Sequence, residues 1–165
     1  MATRIAKIVL LSGIAFFYTL VVFNNLTDFG SNYQFVNHVL DMDTTLPGNN
    51  GMWRALHPIW LHLAFYISII AWETITTVLL WMGVAQLYRA RATAPPSFNS
   101  AKRTAVIALT LSLMMWLVAF LSVGAEWFLM WQSHTWNGQE AAFRMFVVVG
   151  IVLLFLVRPE TENQP

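Results

Sequence analysis

IWLHLAFYISIIAWETITTVLLWMGVAQL, residues 59–87, carries a single charged side chain, Glu73. A bilayer is crossed by about 20 mainly apolar helical residues. This run exceeds that, so it reads as a membrane span that tilts or projects from the membrane. Three further runs have the same character, at about 5–23, 104–130 and 141–157. The fourth is short, and only Met145–Val157 separates Arg144 from Arg158, so the span is expected to begin before Arg144.

The composition agrees. The chain has 165 residues, 58% hydrophobic and 10% charged, against about 25% charged in soluble domains. A soluble chain this short has no core large enough to hide so much apolar surface. The fold class expected is therefore all-α: one polytopic membrane domain over residues 1–165, a four-transmembrane-helix bundle with a partly helical outer cap. A net charge of +1 argues against a nucleic-acid partner. The absence of cysteine excludes disulfides, thiolate catalysis, iron–sulfur clusters and Cys-based zinc sites. The amino terminus has the basic start of a signal peptide, but its apolar run is long and NNLTDFG follows where a cleavage site would stand, so it is read as an uncleaved first span.

Basic residues set the expected orientation. Arg4 and Lys7 precede the first span, Arg89, Arg91, Lys102 and Arg103 flank the connection 88–103, and Arg158 follows the fourth span. The other two loops, 24–58 and 131–140, are flanked only by Arg54 and Arg144. The positive-inside rule then places both termini and the 88–103 connection on the cytoplasmic side. Trp53, Trp60, Trp127, Trp131 and Trp136 gather at the outer boundary, where indole rings favour the headgroup layer. Trp72, Trp81 and Trp116 fall deeper and are expected to pack. Pro95-Pro96 is read as a helix-breaking, solvated linker, and the tail 158–165 as disordered beyond Arg158.

The first outer loop is long for a segment without structure of its own. In DFGSNYQFVNHVLDMD, residues 28–43, Phe35, Val39 and Met42 stand at helical spacing, with Ser31 or Asn32 as N-cap. LPGNNG turns the chain, and GMWRALHPIW reads as a second short amphipathic piece. Asp41 and Asp43 begin like a calcium loop but lack its later acidic ligands. They are expected to pair with Arg54 or to cap the turn. Asn25-Leu26-Thr27 matches the glycosylation pattern, a match common by chance.

Inside the spans Glu73 stands out, because an intramembrane carboxylate is costly enough to mark a functional hypothesis. The plainer alternative is a protonated acid bonded to a neighbouring helix, with Ser12, Tyr18 and Ser112 as candidates. His62, Tyr66 and Glu73 share a helix face, which either lines a proton path or quinone pocket or simply faces the bundle. Glu126 and Arg144 sit at matching depths and are expected to form an ion pair, with Gln132, Asn137 and Gln139 completing an outer polar network. Haem would need two axial ligands at similar depth. Only His38, His62 and His134 offer a set, and no HExxH pattern occurs. No cofactor is expected, haem and quinone being the alternatives. Gly13, Gly83, Gly124 and Gly150 are expected to permit close helix packing.

NNLTDFGSNYQFVNHVLDMDTTLPGN followed by WRAL, and EWFLMWQSHTWNGQEAAFR before the last span, resemble the two outer signatures of a bacterial family of predicted small integral membrane proteins, a domain of unknown function. The resemblance implies a four-span inner-membrane protein and carries no activity, cofactor or catalytic residue. The function expected is a non-catalytic interaction protein or an accessory subunit of a membrane complex, with a protein partner or homo-oligomer in the lipid bilayer. The alternatives are a quinone- or haem-associated redox component and a small oligomeric transporter or channel using Glu73.

Overall fold

The computed structural model describes residues 1–161. Its elements, in chain order, are α1 (Ala2–Thr27), α2 (Phe29–Asp41), a 3₁₀ turn (Met52–Arg54), α3 (Ile59–Ala90), α4 (Pro95–Ser100), α5 (Arg103–Met114), a π-helix (Met115–Trp127) that continues α5, a second 3₁₀ turn (Met130–Gln132) and α6 (Gln139–Val157). Among the described residues all regular structure is helical. Four helices are long and apolar enough to cross a membrane: α1, α3, the continuous run from Pro95 to Trp127, and α6. In lipid an α-helix satisfies its backbone groups internally, so such runs fold this way.

The four pack as a ring, α1 against α3, α3 against α5, α5 and the π-helix against α6, and α6 back against α1. Along α3 the buried positions are His62, Tyr66, Glu73, Thr76, Leu80, Gly83 and Leu87. They are separated by three, four or, between Tyr66 and Glu73, seven residues, which keeps one stripe facing inward. The lower part of that stripe joins Leu11, Ala15, Tyr18, Ala105, Ala108, Leu109, Val149 and Leu156 in the main core. At Gly83 a Cβ would lie 2.9 Å from Cα and Cβ of Ala105, so α3 and α5 approach backbone to backbone. Gly13, by contrast, faces open space, and a Cβ at Gly150 would make ordinary contact with Leu113. Of the four glycines expected at helix contacts, Gly83 is the one where a methyl meets the backbone of a neighbouring helix. Gly124 is tight against its own helix.

Several local expectations are corrected. The helix in the first loop starts at Phe29 with Asp28 as its N-cap, so Ser31 and Asn32 lie inside it. GMWRALHPIW forms one 3₁₀ turn and then extended chain, not an amphipathic helix. Pro95-Pro96 opens α4 instead of forming an unstructured linker, because proline has no N–H to lose in a first turn. Phe98 of α4 is wholly buried. Trp81 is substantially exposed, with its Nε1–H donating to Thr19 Oγ1 at 3.0 Å.

The tail departs most from expectation. Glu160 is docked between α1 and the α3–α5 connection: Lys7 Nζ donates to its carboxylate at 2.7 Å, and Asn99 accepts its backbone N–H at 3.0 Å and donates to its carbonyl at 3.1 Å. The rest of the expected disordered tail, 162–165, lies outside the described residues. Burial pushes the Glu160 carboxyl up, but the hydrogen bond and charge of Lys7, with Lys102 and Arg4 beyond, hold it below its ordinary value. A carboxyl held low stabilises the fold at pH values above the unfolded value of about 4.3, and that contribution is lost as pH falls through the lower folded value.

Two expectations follow from this packing. Gly83→Ala should destabilise by about 1–3 kcal/mol through overpacking, measured by reversible unfolding in detergent; an unchanged midpoint would show that the helices slide apart freely. Removal of the carboxyl charge in Glu160→Gln should flatten part of the stability loss seen on acidification below about pH 4; parallel wild-type and variant curves would show the tail contact contributes nothing there.

Candidate functional site

The last turn of α1 brings Asn25 against α3. Asn25 Nδ2–H donates to Glu73 Oε2 at 2.7 Å, and the Tyr66 hydroxyl donates to the Asn25 carbonyl at 3.1 Å and to its Oδ1 at 3.2 Å. All three residues are buried. The partners expected for Glu73 are engaged elsewhere: Tyr18 and Ser112 share a hydrogen bond of 2.6 Å, and Ser12 donates to the Ile8 carbonyl. Since Asn25 stands two residues from the end of α1, Glu73 lies towards the loop-bearing end of the bundle, here called the cap end.

α2 covers this group. Phe29 meets the Tyr66 ring edge-on at 4.7 Å, and Tyr33 lies 6.0 Å from it. One turn above, His62 is completely buried, with Nδ1 2.7 Å from the Asn37 amide and Nε2–H donating to the Leu56 carbonyl. His62, Tyr66 and Glu73 therefore form a continuous buried column on α3, and each is held by a residue of α1, α2 or the first loop.

Beside the column is a cavity of about 280 Å³, lined by Asn25, Asn32, Tyr66 and Glu73 on its polar side and by Phe35, Val36, Trp116, Phe120 and Ala142 among its apolar walls. An apolar crevice of about 250 Å³, lined by Phe65, Trp72, Met115, Val118, Val123 and Phe128 among others, shares Phe35, Val36, Ile69 and Phe120 with it. The Phe35 and Phe120 rings stack at 6.4 Å. Gly138 admits Phe35, since a Cβ there would stand 2.9 Å from the ring. Both spaces are walled by the π-helix. Its hydrogen bonds span five residues, as in Phe128 N–H to the Val123 carbonyl at 3.0 Å, and π-helical turns concentrate at functional sites. Two buried side-chain atoms lack a hydrogen-bond partner among the described residues, Thr76 Oγ1 and Trp116 Nε1. Thr76 is one turn from Glu73 and Trp116 lines its cavity, and such orphans call for an explanation.

The residues expected to form an outer polar network are arranged differently. Glu126 and Arg144 do not pair: Arg144 approaches Glu140 at 4.0 Å with both side chains exposed, and the Glu126 carbonyl accepts from Arg54 at 3.3 Å. Asp41 pairs with His57 at 3.0 Å and Asp43 with His38 at 2.7 Å, neither with Arg54. The Arg54 guanidinium lies 5.8 Å from the Trp53 ring and 5.6 Å from Trp127. Gln132 does join the two cap loops, accepting the Leu46 N–H at 3.1 Å, as does the 2.8 Å bond from Thr44 to Ser133. Asn137 and Gln139 bond to one another through Gln139 N–H at 3.0 Å. Among the described residues, no three His, Asp or Glu side chains are grouped so as to hold a metal ion.

Asn25 is the residue that sequence reasoning missed, noticed there only as a glycosylation match. The signal was its place at the end of an apolar span, at the depth where a carboxylate on the next helix needs a donor. Asn25→Ala should cost about 1–3 kcal/mol by leaving Glu73 unpaired, while Glu73→Gln, which retains an acceptor of the same size, should cost less. Equal costs in detergent unfolding would remove the hydrogen bond from the account.

No curated protein and no solved structure matches the chain. The family described as "Predicted small integral membrane protein (DUF2165)" matches residues 3–159. With four helices fit to cross a bilayer and a match over nearly its whole length, the chain belongs to that family of small integral membrane proteins.

Proposed function

We propose that the protein is a non-catalytic binding component of a membrane system, an accessory subunit that holds a small amphipathic molecule. Its hydrogen-bonding head would sit against Asn25 and Glu73, and its apolar part along the crevice of Phe65, Trp72, Met115 and Val118. The observation that supports this reading is the adjacency of a cavity with a polar wall to one with apolar walls, the two sharing Phe35, Val36, Ile69 and Phe120. Ligand sites combine mostly apolar walls with a few convergent polar groups. The polar groups here are fixed by one another, as suits recognition. A quinone head, a flat ring with carbonyl acceptors, belongs to the class.

In this reading the cap end faces outward from a bacterial inner membrane and both termini are cytoplasmic. The support is the basic residues: Arg4, Lys7, Arg89, Arg91, Lys102, Arg103 and Arg158 lie at the end carrying the termini, against Arg54 and Arg144 at the cap end.

Native mass spectrometry of the protein extracted in mild detergent should find a small additional mass, retained by wild type and lost in the Asn25→Ala/Glu73→Ala double variant. Additional mass that is only protein, in fixed ratio, would favour an interaction role without a ligand, and a bare chain would overturn the binding reading. The chain has no cysteine, so Asn49→Cys and Ser97→Cys each introduce a single thiol for impermeant labelling of intact cells. Asn49→Cys should react and Ser97→Cys should not; the reverse would invert the orientation.

A further inference from the structure

At the end opposite the cap, Lys7 and Lys102 are both at least nine-tenths buried, and both donate to one acceptor, the Arg158 carbonyl, at 2.7 and 2.6 Å. Arg4 completes the group, its guanidinium 4.7 Å from the ring of Phe98, with Lys102 Nζ 5.6 Å from the same ring. Three cations thus surround one carboxylate, that of Glu160, leaving two positive charges uncompensated among the described residues. Buried charge is costly unless paired. Glu160 reaches only one of the three at hydrogen-bond distance: Lys7 at 2.7 Å, with Arg4 Nε at 3.6 Å. Arg4 donates instead to the carbonyls of Arg91 and Thr93, and Lys102 to Asn99 Oδ1 at 2.8 Å. A planar carboxylate on a short tether is a poor match for three donors converging from α1 and the start of α5.

We propose that Arg4, Lys7 and Lys102 form a binding site for an anionic phosphate group, which takes the place now held by the Glu160 side chain. A tetrahedral phosphate directs its oxygens out of a single plane, as a carboxylate cannot, and charge-assisted bonds to Arg and Lys are the strong ones. The place suits a phospholipid headgroup: it lies where α1 and α5 leave their apolar runs, and basic pockets between membrane helices take anionic head groups. Free phosphate has the same chemistry. The tail is then a resident counter-ion, anchored through Asn99 to the Glu160 backbone so that only the side chain must move. This inference is independent of the cap-end cavity.

The test is thermal unfolding of the full chain in neutral detergent, read by tryptophan fluorescence. Separate titrations use dioleoylphosphatidylglycerol, dioleoylphosphatidylcholine, inorganic phosphate, and chloride at matched ionic strength. Phosphatidylglycerol or phosphate should raise the midpoint in a saturable way that phosphatidylcholine and chloride do not reproduce. A response to the lipid alone assigns the headgroup, and one to inorganic phosphate assigns the free ion. Glu160→Gln should start from a lower midpoint and gain more from the same anion than wild type, and Lys7→Gln should lose the gain. If Lys7→Gln does not fold, the Glu160→Gln comparison decides alone. Equal gains for wild type and Glu160→Gln, or equal gains from the anionic and zwitterionic lipids, would overturn the proposal.

Discussion

The bond from Asn25 to Glu73 is the constraint from which the cap half of the molecule follows. Ionisable side chains at the centre of a spanning helix cost of order 2.5–3.5 kcal/mol on insertion scales, whereas an interhelical hydrogen bond in a membrane returns about 0.6 kcal/mol on average. One amide donor therefore does not offset the presence of Glu73. The structure reduces the cost by other means: Glu73 lies level with the end of α1, Tyr66 supports Asn25 from above, and α2 closes over Tyr66 with Phe29 and Tyr33. The position of α2 is thus coupled to a polar contact beneath it. A leucine at position 73 would impose none of these conditions.

The two ends of the bundle solve the problem of polar groups near lipid in opposite ways. The cap end uses small side-chain pairs, His57 with Asp41 and His38 with Asp43, and the Gln132 side-chain amide joins the two loops by accepting the Leu46 N–H. The two His–Asp pairs lie within the first loop and are partly exposed, where an ion pair is worth at most about 1 kcal/mol. The other end draws three long cationic side chains inward onto backbone carbonyls and one carboxylate. Those contacts tie the start of α1, the α3–α5 connection and the chain after α6 into one knot. The short helix α4 belongs to that knot, which is why Phe98 is buried although the segment opens with two prolines.

This contrast explains what was legible in the sequence. The four spans were, because mean apolarity over 20 residues does not depend on what a helix packs against. The inward face of α3 was legible too, since His62, Tyr66 and Glu73 fall on it by spacing within a single helix. Partners across helices were not. Asn25 lies far from Glu73 in the chain, and its pairing depends on the relative depth and rotation of two helices, which no local pattern encodes. Asp41 and Asp43 were expected to pair with Arg54 or to cap the turn, but Arg54 turns to the Glu126 carbonyl and to the Trp53 and Trp127 rings. Two histidines, close by in the fold, take the acids instead.

The failed Glu126–Arg144 pair has a more specific cause. The expectation rested on matching depth alone and took no account of which way either side chain faces. From Met115 onward the helix is π-helical and its backbone hydrogen bonds span five residues, as in Phe128 N–H to the Val123 carbonyl. Each such turn takes in extra chain, so the azimuth of every later residue drifts from its α-helical value. By Glu126, near the end of thirteen π-helical residues, the drift has accumulated over several turns. The side chain no longer stands where counting by 3.6 would put it, and Arg144 is left with Glu140 on its own helix. The same widened turns carry Met115, Trp116, Phe120 and Val123 into the walls of the two cavities. One change of helical period thus dissolves an expected ion pair and shapes the space beside Glu73.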